Sequence, residues 1–172
     1  MTRRRQERRG GRGLGYGDRE SVRRVRAALA ERGVSSEFVE LEATARSAKD
    51  AAAALGCRVE QIVKSLVFRG ANTGSPVLVL ASGPNRVSEG RISALLAEPI
   101  EKADAAFVRD KAGFAIGGVP PLGHAEAPVT FLDEDLLEQD MVWAAAGHTH
   151  VVFGLSPEDL QRVTDARAIR VK

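Results

Sequence analysis

Cysteine is almost missing: Cys57 is the only one in 172 residues. It has no internal disulfide partner and no second cysteine to complete a zinc spacing, so it reads as a small core or near-surface residue. Aromatic residues make up 5% of the chain and there are three histidines, His124, His148 and His150. There is no HExxH pair, no serine in a nucleophile elbow, no P-loop and no GxGxxG turn. Standard metalloprotease, serine hydrolase and nucleotide-fold signatures are thereby excluded. No apolar run approaches the roughly 18 residues of a membrane span. The N-terminal arginines are not followed by the apolar stretch of a secretion signal. The expectation is a cytoplasmic protein that does not enter a membrane.

The composition is 44% hydrophobic and 28% charged, ordinary for one soluble domain with a real core. A net charge of +2 hides an asymmetry, because Arg3, Arg4, Arg5, Arg8, Arg9 and Arg12 against Glu7 place +5 on the first twelve residues and leave −3 on the rest. Interleaved glycines give this segment little to bury. Residues 1–20 are therefore expected to be a basic, disordered tail, and 21–172 the folded domain. The tail reads either as a solubilising extension or as an arm that binds phosphates without sequence choice.

Within the domain, "SVRRVRAALAERG" has helical spacing and stops at Gly33, "SEFVELE" reads as a strand, and "SAKDAAAALG" is a helix from the Ser47 cap to Gly56. "QIVKSLVFRG" and "SPVLVLAS" are strands, the second apolar throughout as in a sheet covered on both faces. "SEGRISALLAE" and "ADAAFVRDKAG" read as helices, and "PVTFLDEDLLE" as a strand and turn with the acids Asp133, Glu134 and Asp135 at a helix start. "DMVWAAAG" and "HTHVVFG" follow as strands and "SPEDLQRVT" as a helix. The order predicts an α/β fold: a single compact domain with a mixed sheet and surrounding helices.

Three features are candidates for chemistry. Lys64 shares a strand face with Ile62, Leu66 and Phe68, so its ammonium either reaches water along its stem or meets an anion or polarised carbonyl in a cavity. "AIGGVPPLGH", residues 115–124, is either a tight connection or a rigid loop that offers backbone N–H groups to a ligand. His148 and His150 lie two apart and face one side if extended, but three histidines without a cysteine or HExxH make a poor metal set. No metal and no cofactor is expected.

"AKDAAAALGCRVEQIVKSLVF", "LVLASGPNRVS", "GGVPPLGH" and "VTFLDEDLLEQDMVWAAAGHTHVVFGLSPEDLQRVT" together resemble the YbaK family, free-standing relatives of the editing domain of prolyl-tRNA synthetase. The likeness runs from about Ser21 to the C-terminus and leaves out the arginine tail. It implies an aminoacyl-tRNA deacylase that hydrolyses the ester of a mischarged small amino acid, alanine on a proline tRNA first among them, by a positioned water. The alternative is a non-catalytic module that binds tRNA or nucleotide in the same pocket. By the same resemblance, Lys64 and Gly118 would be catalytic, and Ser65, Gly117, Pro121, Gly123, His124, Gly147 and His148 would line the substrate. Aminoacylated tRNA is the implied partner, with an aminoacyl-tRNA synthetase as a second.

Overall fold

The computed structural model describes residues 15–42 and 46–172. In chain order these form α1 (Glu20–Glu31), β1 (Glu37–Glu40), α2 (Ala48–Leu55), β2 (Val63–Gly70), β3 (Pro76–Ser82), α3 (Glu89–Leu96) and β4 (Ile100–Lys102). They continue with α4 (Ala105–Ala112), β5 (Val129–Asp133), β6 (Val142–His148), β7 (Val151–Leu155), α5 (Pro157–Thr164) and β8 (Arg167–Ile169). Helix starts follow the local chemistry. Ser47, Ser88, Asp104 and Ser156 each accept a backbone N–H from the residue three places on, a cap worth about 1 kcal/mol.

The predicted α/β domain is present, but its strands divide into two sheets. One is mixed, in the order β4-β2-β3-β5-β8, and the other is antiparallel, in the order β1-β7-β6. A parallel bridge from Ile62 to Trp143 joins them. Because side chains alternate along a strand, β3 feeds two cores. Leu78 and Leu80 join the larger one with Val22, Val25 and Leu29 of α1 and Phe153 of β7. Val77, Val79 and Ala81 face a smaller one with Phe68, Phe131 and Ile92 of α3. The apolar run in "SPVLVLAS" is thus explained by cover on both faces.

Three differences from the sequence reading bear on the site. The hairpin after β6 turns at Thr149 and His150 rather than between Gly147 and His148. The short strands β4 and β8, three residues each, are too brief for periodicity to reveal. The expected tail boundary at residue 20 also shifts, because Tyr16–Asp18 form a 3₁₀ turn packed onto the domain. The Gly17 N–H donates to Glu40 Oε1 at 2.7 Å, and the Tyr16 ring stacks on His148 and His150 with centroids 4.7 and 4.5 Å away. The rest of the arginine-rich segment, residues 1–14, lies outside the described residues.

Candidate active site

Lys64 stands opposite Ala81 of β3, on the smaller-core face of β2. It is half-buried, and its amine donates to the backbone carbonyl of Asn85. Burial pushes its pKa below the ordinary lysine value, and the Asp133 carboxylate acts in the opposite direction. Asp133 is only 1% exposed. Its Oδ2 accepts from the Ser82 N–H at 2.9 Å and from Asn85 Nδ2 at 2.8 Å, and its Oδ1 from the Asp135 N–H at 3.0 Å. It caps the following 3₁₀ turn, as the acidic cluster suggested, and also fixes the turn whose carbonyl holds the lysine amine. A lysine ammonium has three donors, and Asn85 occupies one.

Ser65 points to the other face of β2. Its hydroxyl is buried and has no hydrogen-bond partner among the described residues. The backbone beside it is exposed by topology. The Gly70 N–H donates to Ser75 on the β3 side, so by antiparallel alternation the N–H and C=O groups of Ser65 and Val67 turn to the opposite edge of β2. That edge is covered by β4 only from Phe68 to Gly70. Ser65 therefore presents an open strand edge between the β4 pairing and the bridge at Ile62.

A cleft of two lobes runs along this edge. The first, about 350 Å³, is lined by Lys64 and Ser65 on one side, by Ala51 of α2, and by Trp143, Ala145 and His148 of β6. The second, about 400 Å³, lies over Leu66, Phe68 and Val108 and is rimmed by Arg86 and Lys102. Ser65, Leu66, Ile116, Gly117 and Val119 belong to both lobes. The divide between them is thus the strand edge facing the glycine-proline loop.

That loop is held at its neck. Ala125 and Glu126 donate to Ala112 and Lys111 across its ends, and Arg24 of α1 donates to the Gly113 carbonyl at 3.0 Å while covering the Phe114 ring at 4.2 Å. At its tip Gly117 has φ 93°, in the left-handed region, and Ile116 is 56% exposed above the cleft.

The expected site residues separate into three groups. Lys64, Ser65, Gly117 and His148 come together at the first lobe. Gly118 lies beside it, but its N–H donates to Ala115 at 3.1 Å, so it has no free donor for a ligand. A Cβ there would meet His148 N and Cα at 2.9 Å, so the glycine serves loop packing against β6. A Cβ on Gly147 would meet the Ser21 carbonyl at 2.6 Å, so this glycine lets α1 approach the hairpin. Pro121, Gly123 and His124 line another cavity, about 570 Å³, that shares no residue with the cleft. His124 Nε2 donates to the Pro120 carbonyl at 2.6 Å. Burial pushes its pKa down, the Pro120 contact opposes this, and Arg24 adds to the lowering. The candidate site is the two-lobed cleft, because Lys64, Ser65, Gly117 and His148 all line its first lobe beside the open edge of β2.

His148 Nδ1 accepts from the His150 N–H at 3.1 Å, which assigns the ring proton to Nε2. Burial pushes its pKa down, with His150 and Arg19 adding to this and Glu40 opposing it. The two imidazoles are 5.4 Å apart, His148 ending β6 and His150 lying in the turn, rather than sharing a strand face. No three His, Cys, Asp or Glu side chains gather into a metal-binding group among the described residues. No helix among them is long and apolar enough to cross a membrane.

These features define a single-domain α/β protein with a two-lobed cleft beside an open strand edge. Residues 42–163 match the aminoacyl-tRNA editing domain family, and the chain belongs to that family. It is similar to the crystal structure of a candidate trans-editing enzyme for prolyl tRNA synthetase, at 45% identity and a TM-score of 0.84 over 90% of this chain and 98% of the other. A crystal structure of a hypothetical protein is 28% identical with a TM-score of 0.79, covering 86% and 98% of the two chains. YwhH of Bacillus subtilis (strain 168), an uncharacterised protein, is 26% identical over 140 residues, which is 81% of this chain and 88% of that one.

Proposed function

We propose that this protein is an aminoacyl-tRNA deacylase that hydrolyses the ester between a misattached small amino acid and the 3′-terminal adenosine of a tRNA. One observation carries this reading: Lys64, half-buried on β2, and Ser65, at the open edge of the same strand, line one cleft with Ala51, Trp143 and Ala145. An aminoacyl ester is already activated. Water attack then needs positioning and donors for the negative charge that develops on the carbonyl oxygen. Lys64 and the Ser65 edge supply those donors, replacing the Gly118 N–H that the sequence pointed to. Ala51, Trp143 and Ala145 give the first lobe a short apolar lining suited to a small side chain. The likeness to the candidate trans-editing enzyme favours proline tRNA as the first to test.

The test is deacylation of a panel of tRNAs charged with alanine, serine, threonine and proline, by wild type and by Lys64→Ala. Wild type is expected to release a small non-cognate amino acid. Loss of an electrostatic donor at such a site typically costs about 100-fold or more, and that is the loss expected for Lys64→Ala at an unchanged melting temperature. Activity within about twofold of wild type, under about 0.5 kcal/mol of barrier, would remove Lys64 from the chemistry. Tight tRNA binding without hydrolysis of any ester would make the protein a binding module.

A further inference from the structure

The second lobe of the cleft has a chemistry of its own. Arg86 follows the Asn85 turn, and Lys102 ends β4 opposite Phe68 of β2. Both line this lobe and not the first, and neither side chain forms an ion pair or hydrogen bond among the described residues. The one carboxylate in the lining is Glu89, at the start of α3, so the rim keeps a positive excess. Leu66, Val87 and Val108 line the same lobe. Two unpaired cations in a lobe with apolar lining match a ligand that has both anionic and apolar parts. A nucleotide has both.

Resting on the deacylase reading, we infer that this lobe is a phosphate-binding subsite: Arg86 and Lys102 hold the phosphodiester next to the terminal ribose. The polynucleotide end then lies over the second lobe and the amino acid enters the first. The order follows from the shared wall. An ester carbonyl at the Ser65–Gly117 divide has one substituent on each side, and the first lobe combines Lys64 and Ser65 with an apolar pocket, whereas the second carries the two free cations. The first lobe has Lys64, whose amine is held by the Asn85 carbonyl, and Arg46, next to residues outside the described set. Arginine offers a planar fork to two phosphate oxygens and lysine a point charge, so the pair can grip a phosphodiester without reading the base.

The experiment compares wild type with the Arg86→Ala/Lys102→Ala double variant on two esters, alanyl-adenosine without a 5′-phosphate and an alanylated proline-acceptor minihelix ending in CCA. The expected result is a loss of tenfold or more in kcat/KM on the minihelix, mostly through KM, with alanyl-adenosine unchanged within twofold. The variant's salt dependence for uncharged minihelix should also flatten, by about 0.7 in log–log slope for each lost single-strand contact. Equal losses on both esters, or none on the minihelix, would overturn the phosphate subsite while leaving the deacylase reading in place. If wild type hydrolyses neither ester, the deacylase reading fails. The uncharged-minihelix titration then decides the subsite, and equal slopes would overturn it.

Discussion

Ser65 carries an unusual burden for so small a side chain. A buried hydroxyl without a partner costs about 1–3 kcal/mol relative to a satisfied one, and β2 tolerates it at the divide of the cleft. Its removal separates stability from function. Ser65→Ala is expected to leave stability unchanged or raise it by up to about 1 kcal/mol, while deacylation falls about tenfold, equivalent to about 1.4 kcal/mol of barrier. Urea unfolding and single-turnover deacylation of the same sample check both halves. A stability loss of more than about 1 kcal/mol would mean that the hydroxyl has a structural partner. At this scale the position of Lys64 on an apolar strand face was legible, because the period of two in "QIVKSLVFRG" sets which residues share that face. The purpose of His124 was not. Its hydrogen bond is to the Pro120 carbonyl and its ring tilts against Phe114, and no spacing in the sequence distinguishes such a packed imidazole from one lining substrate.

Among the elements, the capped helices and the apolar β3 follow from local chemistry, whereas the open edge of β2 does not. Which strand lies beside which depends on β4, whose three residues carry no period, and on the single bridge from Ile62 to Trp143. The glycine-proline loop shows the same limit. Its rigidity could be read from composition, but the reasons for its glycines come from their neighbours. At Gly118 the neighbour is the backbone of His148 and Gly147, within 2.9 and 3.1 Å of a built Cβ, and backbone cannot swing away. Gly118→Ala is therefore expected to destabilise the fold by about 1–3 kcal/mol, the range for overpacking, and to lower activity by shifting the loop. Thermal melting with a deacylation assay checks this. A variant with wild-type melting and selectively impaired turnover would return Gly118 to direct contact with the ester.

For the molecule as a whole, the remaining question is the basic N-terminal segment. Six arginines among glycines can follow a phosphate backbone but cannot shape a pocket, so any effect should be general and screened by salt. The fold sets where this segment begins. Tyr16 stacks on His148, which lines the first lobe, so residue 15 emerges near the cleft. Fourteen residues reach at most about 50 Å when extended, enough to run along an RNA stem whose end occupies the site. Deletion should stop at residue 14, because removing Tyr16 and Gly17 would also remove the ring stack and the bond to Glu40. Deleting 1–14 is expected to weaken tRNA binding at low salt, flatten its salt dependence and leave the order of preferred mischarged tRNAs unchanged. A salt titration of tRNA binding, run on both proteins beside the deacylation panel, checks this. Identical slopes would show that the arginines do not touch tRNA. A changed order of substrates would mean that the segment enters the cleft, in which case the positive potential of the rim and the selection of the amino acid are parts of one site.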